Sequence, residues 1–218
     1  LTPCRQGANI RLKGEDIHHH ATVITAGTLC RPAEIGMLAT AGYSNAEVYK
    51  KPEVSVLATG NELVEPGDDL EPGKIINSNS YSITSLVADS GGNPSTLETA
   101  KDTREDLTKK ISHAITADIA IIIGGVSMGK YDYVKDVLAE LGCDMKFWKV
   151  EMRPGHPMAF GIMTSNNNTK LLFGLPGNPV ACMVTFYQFI RPTLRKMMGM
   201  NDLFLNEVET QLEENIKH

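Results

Sequence analysis

The hydrophobic positions of residues 53–199 follow two periods in turn. Unbroken apolar runs at residues 54–58 and 119–123 predict strands that are buried on both faces of a parallel sheet. Apolar residues spaced three or four positions apart predict helices between and after these strands. The predicted helices cover residues 79–89, 102–115, 134–141 and 178–198.

Weaker strand segments complete the predicted sheet. They lie at residues 94–99 and 147–152, and a hairpin is predicted from residues 158–163 to 170–173, around a turn at 166–168. Strands that alternate with helices predict the α/β class. We therefore expect a mostly parallel sheet covered by helices on both faces, which is a three-layer sandwich.

The first 52 residues have a different pattern, rich in glycine and without a long helical stripe. Residues 21–25 and 46–49 are short β-prone pieces, and residues 32–40 predict one short helix. This pattern predicts a small mixed linker module over residues 1–52, followed by the α/β domain over residues 53–199.

The two ends of the sequence predict a piece of a longer protein. The chain begins at Leu1 without an initiator methionine or a signal-peptide pattern. Residues 206–212 alternate as a strand does, so residues 200–218 are expected to begin a truncated β domain.

Composition and charge exclude several classes of protein. Hydrophobic residues make up 42% of the chain and the net charge is −5, which is typical of a globular domain and gives no overall attraction for nucleic acid or an anionic membrane. The apolar run at residues 119–123 is far shorter than the roughly 20 residues of a membrane span. Four scattered cysteines without a CxxC pair predict reduced, mostly buried thiols and a cytoplasmic location.

Polar, glycine-rich loops follow the predicted strands. Because the carboxyl ends of parallel strands share one edge of a sheet, these loops are expected to form one site, whose backbone N–H groups bind an anion. No Walker loop is present, which excludes a P-loop NTPase. The loops are Thr59–Leu63, Gly124–Gly129 with Asp132, Arg153–Pro157 and Gly174–Pro179.

Five motifs in this order resemble the molybdopterin molybdenumtransferase family, of the MoeA and gephyrin E-domain type. They are Thr59-Gly-Asn-Glu-Leu, Gly73-Lys-Ile with Ser78-Asn79, Gly124-Gly-Val-Ser-Met-Gly with Asp132-Tyr, Arg153-Pro-Gly-His-Pro and Leu175-Pro-Gly-Asn-Pro. The resemblance implies a molybdopterin-binding, MogA-like domain that inserts molybdate into adenylylated molybdopterin and releases AMP. It also implies a homodimer for the full-length protein.

This chemistry assigns roles to charged residues at the strand ends. Cleavage of a phosphoanhydride calls for Mg²⁺ or another divalent cation, with Glu62, Asp102 and Asp132 as its expected metal ligands and as catalytic residues. Asp102 also begins a capping box, so a purely structural role as a helix cap is an open alternative. Lys149 and Arg153 are the expected catalytic cations for phosphate or molybdate.

The remaining site residues follow from the loops and the resemblance. His156 stands where the family commonly has lysine, and Ala181 where it often has serine. The expected substrate-binding residues are Thr59, Gly60, Ser78, Asn79, Gly124, Gly125, Ser127, Pro154, Gly155, His156, Pro176, Gly177, Asn178 and Pro179.

Two other functions are compatible with the same fold. A molybdopterin adenylyltransferase is one, although it typically carries Gly-Gly-Thr-Gly where this chain has Gly124-Gly-Val-Ser-Met-Gly. A gephyrin-like scaffold module is the other. The family's upstream Met-Asp-Gly-Tyr-Ala motif is absent from the sequence, so we expect this chain alone to bind weakly and to catalyse poorly.

Overall fold

The computed structural model describes residues 3–126, 133–165, 168–211 and 213. Within these residues the strands are β1 (Glu53–Ala58), β2 (Leu63–Val64), β3 (Ile75–Ile76), β4 (Asn93–Thr96), β5 (Ile119–Ile123), β6 (Asp144–Phe147), β7 (Ala159–Ser165) and β8 (Asn168–Leu175). The helices are α1 (Pro32–Thr40), α2 (Asn79–Asp89), α3 (Arg104–Ala114), α4 (Tyr133–Glu140), α5 (Pro179–Thr185) and α6 (Arg191–Met197), with a π-helical turn (Phe186–Ile190) joining the last two.

Six of these strands form one sheet in the order β4-β1-β5-β8-β7-β6. Strands β4, β1, β5 and β8 are parallel, and β7 runs antiparallel to both β8 and β6. The carboxyl ends of β1, β5, β8 and β6 therefore lie at the same edge, which we call the carboxyl rim. The predicted mostly parallel α/β sheet is confirmed.

Helices cover both faces of the sheet because alternate strand residues point to opposite sides. Ile119 and Ile121 pack with α2 and the long helix that begins at Pro179. Ala120 and Ile122 pack with α3 and α4 on the other face. The β5 residues in both clusters are buried, so the unbroken apolar run of β5 fills two cores and the expected three-layer sandwich is confirmed.

The long helix at the end of the domain contains a π-helical turn for a local reason. Pro192 has no N–H group to donate to the preceding turn. Next to it, the N–H of Arg191 donates to the carbonyl of Phe186, five residues earlier, instead of four. The π-helical turn lets the helix continue from Pro179 to Met197, close to the end that the sequence predicts.

Two predicted details of the sheet region are wrong. The strand predicted at residues 147–152 is instead Asp144–Phe147, because pairing with β7 places Met145 opposite Gly161 and Phe147 opposite Phe160, with an irregularity between them. Lys149 therefore lies in the exposed loop after β6. The predicted cap of α3 is also wrong. The side chain of Thr103, and not that of Asp102, accepts the N–H of Asp106 at the start of this helix.

The first 50 residues contain one predicted element and lack two others. The helix predicted at residues 32–40 is confirmed as α1, which has no buried residue. Residues 21–25 and 46–49 form no strands, and residues 206–211 are irregular and exposed instead of strand-like. These segments have no partner strand, so their backbone N–H and C=O groups form no inter-strand hydrogen bonds and can bond to water instead.

None of the helices in the described part of the chain is long and apolar enough to cross a membrane. The divisions of the chain at residues 52 and 199 stay predictions.

Candidate functional site

A cleft of about 110 Å³ opens at the carboxyl rim where β1, β5 and β8 end. We call it the rim cleft. Its walls come from the loops after β1 and β5, from the amino terminus of α2 and from the loop before α5. The lining residues are Ala58, Thr59, Glu62, Leu63, Ile75, Ile76, Asn77, Ser78, Asn79, Ile123, Gly124, Gly177 and Pro179.

The rim cleft brings together six of the fourteen substrate-binding residues expected from the sequence. Thr59, Ser78, Asn79, Gly124, Gly177 and Pro179 all line it, as does the expected metal ligand Glu62. The neighbouring Pro176 is buried, and Asn178 is the side-chain cap of α5 through the N–H of Ala181, at 3.1 Å.

Two glycines of the loop after β5 are required by close contacts. Gly124 has a φ of +86°, and an added Cβ would lie 2.7 Å from the carbonyl oxygen of Thr59. Gly125 has a φ of +63°, and its added Cβ would lie 2.5 Å from Cγ2 of Val134. A side chain at Gly124 would push the β5 loop away from the end of β1, and one at Gly125 would push it away from α4, so both glycines keep this loop close to its neighbours.

The hydroxyl group of Thr59 is the unsatisfied polar group of this wall. Its side chain is 4% exposed, and Oγ1 has no hydrogen-bond partner among the described residues. A buried hydroxyl without a partner costs free energy. The Thr59 hydroxyl therefore lies buried in the wall of the rim cleft without a partner among the described residues.

Two helix amino termini meet at the rim cleft. The side-chain amide of Asn79, the first residue of α2, donates to the carbonyl of Gly177 at 2.7 Å, which ties α2 to the loop before α5. Ser78 precedes α2 and makes no side-chain cap bond. The first N–H groups of a helix lack partners within the helix, and here Asn77 accepts the N–H of Ser80 and Asn178 that of Ala181.

The loop between β1 and β2 positions two of the three expected metal ligands, Glu62 and Asp102. Asp102 Oδ2 accepts the N–H of Asn61 at 3.0 Å, and the side chain of Asn61 accepts the N–H of Asp102 at 3.1 Å. Glu62 lies over Gly60, where an added Cβ would come within 2.6 Å of the carboxylate. Asp102 is thus a loop anchor beside Glu62 and not a helix cap.

A second, open depression of about 500 Å³ lies in the loop after β6. It is lined by Glu151, Met152, Arg153, Gly155, His156 and Pro157. We call it the Arg153 depression. The expected residues Arg153, Gly155 and His156 line it and do not line the rim cleft, Pro154 lies in the same loop, and Lys149 is exposed before it.

The loop that forms the Arg153 depression is held by its own backbone and by the long helix. Nδ1 of His156 lies 2.8 Å from the carbonyl oxygen of Val150, and the N–H of Val150 donates to the carbonyl of His156. Gly155 is buried, and an added Cβ would lie 2.7 Å from Cγ2 of Thr185 in α5. The loop therefore packs against the helix that also supplies one wall of the rim cleft.

Ser127 and Asp132 lie outside the described residues, so their expected roles stay predictions. Across the described ranges, no three His, Cys, Asp or Glu side chains lie close enough together to hold a metal ion.

The sequence analysis missed a network of polar side chains next to the rim cleft. The carboxylate of Glu65 accepts hydrogen bonds from Asn77, Thr99 and Tyr81. Burial raises the pKa of Glu65, but these three hydrogen bonds outweigh it and hold the pKa below its ordinary value. Asn77, directly before the Ser78-Asn79 motif, was the available signal, because a polar residue so close to a helix start often caps it.

Comparison with known proteins gives matches along most of the chain. Residues 55–196 match the profile of a family described as "probable molybdopterin binding domain", and residues 1–42 match "MoeA N-terminal region (domain I and II)". The molybdopterin molybdenumtransferase of a Nostoc species is 39% identical over 201 residues, which are 92% of this chain and 46% of that protein. The Staphylococcus aureus protein of the same name is 36% identical over 214 residues, 98% of this chain and 50% of that one.

Solved structures share the fold. A molybdopterin biosynthesis MoeA protein from Pyrococcus horikoshii aligns with a TM-score of 0.75 and 30% identity, over 85% of this chain and 45% of that one. The tungsten cofactor synthesizing protein MoaB from Pyrococcus furiosus aligns with a TM-score of 0.50 and 16% identity, over 68% and 98% of the two chains, which shows the fold alone.

The chain spans about half the length of the curated relatives that it matches. The matched family profile runs from residue 55 to residue 196 and so includes the β1, β5 and β8 loops that form the rim cleft. On this match, the chain belongs to the molybdopterin-binding domain family.

Proposed function

We propose that this chain is part of a molybdopterin molybdenumtransferase, which inserts molybdate into adenylylated molybdopterin and releases AMP. The observation that carries the proposal is the meeting of two helix amino termini at the rim cleft, beside the buried Thr59 hydroxyl, which has no partner among the described residues. A polyanionic substrate fits such a surface, because donors that are already fixed pay no cost of reorganisation when the anion binds. The names of the relatives point to the same substrate.

The rim cleft would hold the phosphate groups of the substrate. Thr59 Oγ1 would donate to a phosphate oxygen, and the N–H groups at the start of α2 would face the same charge. Gly124 and Gly177 would let the substrate approach the backbone closely. Leu63, Ile75 and Ile76 give the cleft an apolar side that suits the ring system of the substrate.

The Arg153 depression would supply positive charge for molybdate. The guanidinium of Arg153 has parallel donors that match a tetrahedral oxyanion. His156 lies beside it with Nδ1 against the carbonyl of Val150, which leaves Nε2 for a ligand. Lys149 lies in the same exposed loop and would add long-range attraction.

The donor set at the rim cleft is compatible with part of a site for Mg²⁺ or a similar divalent cation. Glu62 makes no side-chain hydrogen bond or ion pair with another described residue, and Asp102 uses only Oδ2. Carboxylate oxygens are the ligands that such cations prefer. Glu62 and Asp102 would hold the cation, with Asp132 as the expected third ligand, and the bound cation would neutralise charge on the phosphoanhydride.

The same proposal includes a homodimeric, cytoplasmic full-length protein, which rests on the family resemblance. The relatives that the chain matches are about twice as long as this chain.

A titration with AMP tests the proposal at the rim cleft. Thr59→Val removes the hydroxyl and keeps the shape, so we expect about a five- to tenfold weaker affinity for AMP, the size of one net hydrogen bond. The free energy of unfolding should stay the same or rise, since the hydroxyl has no hydrogen bond to lose among the described residues. Isothermal titration calorimetry and urea unfolding measure the two quantities.

Thr108→Val on α3 is the matched control, because its exposed hydroxyl bonds only to its own helix at Arg104. AMP affinity that is equal in the Thr59→Val and parent proteins contradicts the phosphate role of the rim cleft. Release of AMP from adenylylated molybdopterin that depends on molybdate, measured with the longer protein, separates this function from an adenylyltransferase, which would consume ATP instead.

A further inference from the structure

Residues 62–78 form a flap whose two ends line the rim cleft. The flap contains β2 and β3, which pair with each other and not with the six-stranded sheet. Each strand has only two residues, and Ile75 and Ile76 are 56% and 38% exposed. A two-stranded pair of this size is marginally stable in water, so other contacts must hold the flap in place.

The carboxylate of Glu65 makes the contacts that tie the flap to the domain. Oε1 accepts Nδ2 of Asn77 at 3.1 Å and the hydroxyl of Thr99 at 2.8 Å. Oε2 accepts the hydroxyl of Tyr81 at 3.0 Å. The three donors come from the far end of the flap, from the segment after β4 and from α2, so one side chain joins three parts of the structure.

The donors are themselves fixed to the frame of the domain. The carbonyl of Thr99 accepts the ammonium group of Lys110 in α3 at 2.7 Å, and the next residue, Ala100, accepts the N–H of Gly60. Asn77 is 3% exposed, and its side-chain oxygen accepts the N–H of Ser80 at 3.3 Å. The network therefore continues from Glu65 into the first turn of α2, which faces the rim cleft.

We infer that Glu65 is a positioning residue that locks residues 62–78 in the place where Glu62, Asn77 and Ser78 form the wall of the rim cleft. The inference rests on the proposed function in so far as this cleft binds an anionic nucleotide or pterin. Glu65 itself does not line the cleft, so it acts through the residues that it holds. The lowered pKa of Glu65 agrees with an ionised acceptor at neutral pH.

Hydrogen exchange measures the lock without any ligand. Glu65→Ala removes all three acceptor contacts, so we expect the amides of residues 62–78 to exchange about tenfold faster or more, while β5 amides are unchanged. Glu65→Gln keeps one oxygen for Asn77 and Thr99 and offers an amide to Tyr81, so it should restore slow exchange. Unchanged exchange in the Glu65→Ala flap overturns the inference.

The affinity for a ligand tests whether Glu65 positions the cleft residues or only supports the fold. With AMP as the probe, Glu65→Ala should weaken the affinity about tenfold, Tyr81→Phe less, and Glu65→Gln little, since each retains a different share of the hydrogen bonds. Asp68→Ala is the control. It removes an equal charge from the same flap, but the Asp68 side chain makes no hydrogen bond or ion pair with another described residue. It should bind AMP like the parent.

The two experiments distinguish a failed inference from a failed function. If the parent binds AMP and Glu65→Ala binds it equally well despite faster exchange, the positioning role is overturned and the proposed function stands. If the parent binds neither AMP nor adenylylated molybdopterin, the proposed function fails, and the exchange rates alone decide whether Glu65 locks the flap.

Discussion

Residues 3–50 and residues 53–198 of the same chain use similar local signals but bury very different fractions of their side chains. The helix α1 in the first region has a proline in its first turn, and the carboxylate of Glu34 accepts both the N–H and the guanidinium of Arg31. The helix α3 in the second region has a Thr103 cap. Yet α1 has no buried residue, whereas α3 buries Leu107, Ile111 and Ala114.

The difference shows that local signals and tertiary burial contribute separately to a helix. The hydrogen bond and charge of Arg31 lower the pKa of Glu34 to about 2, so α1 is supported by an ion pair at its own start. In the α/β domain, the apolar faces of the helices pack on the sheet, and the burial of this surface contributes much more to stability than the local signals do. The domain should therefore dominate the stability of the chain, and the first region should respond mainly to local changes.

Cysteine reactivity gives the largest expected contrast between the two regions. Cys4 and Cys30 are exposed, while burial raises the pKa of Cys182 to about 12. Since the thiolate is the reactive form, native Cys182 should be alkylated about a thousandfold more slowly than an ordinary exposed thiol. Alkylation with iodoacetamide followed by peptide mass spectrometry measures the rates.

The control is the chain unfolded in urea, in which all four cysteines should be alkylated at similar rates. Rapid native alkylation of Cys182 would contradict the burial of α5 against the sheet. Two exposed cysteines also correct the expectation that the thiols are mostly buried.

Large-to-small substitutions compare the two regions in free energy. Phe186 in the π-helical turn is fully buried, so Phe186→Ala should lower the free energy of unfolding by about 3–5 kcal/mol. Ile35 in α1 is 58% exposed, so Ile35→Ala should change it by less than about 0.5 kcal/mol. Urea unfolding followed by circular dichroism measures both, and an equal loss for Ile35→Ala would mean that α1 is covered in solution.

Asp118 contacts both regions. Its contribution to the free energy of unfolding should be the smallest of these effects and should depend on pH. Its carboxylate accepts the N–H of Glu53 at 3.0 Å and pairs with Lys170 and, at 3.8 Å, with Lys50. Burial raises the pKa of Asp118, but the hydrogen bonds and the two lysines outweigh it and lower the pKa below its ordinary value. The contribution to stability is therefore complete above the unfolded pKa of about 4 and is lost as the pH falls towards the lower folded pKa.

Urea midpoints between pH 6 and pH 3 test this direction. The parent should lose more stability than Asp118→Asn over the acid range, by about 1 kcal/mol or less, because an asparagine keeps the hydrogen bond but does not titrate. Asp68→Asn, an exposed carboxylate of the flap, is the control and should follow the parent. A steeper acid loss in Asp118→Asn would reverse the assignment.

The sequence predicts those parts of the fold that depend on local periodicity. The strands at residues 54–58 and 119–123, the helix at residues 79–89 and the cap and proline that begin the last helix all lie where the pattern places them. Strand ends then bring the Thr59, Gly124 and Gly177 loops to one rim, because parallel strands point in one direction. Six of the fourteen expected substrate-binding residues line the rim cleft for this reason.

Other features depend on partners far away in the sequence, and only the tertiary structure decided them. The extent of β6 follows from its pairing with β7, and Asp102 meets Asn61 across 41 residues of chain. Glu65 meets Thr99 across 34 residues, so no local pattern marks it as the lock of the flap. The free energy of such contacts comes from groups that folding brings together, and a short stretch of sequence carries no record of which groups those are.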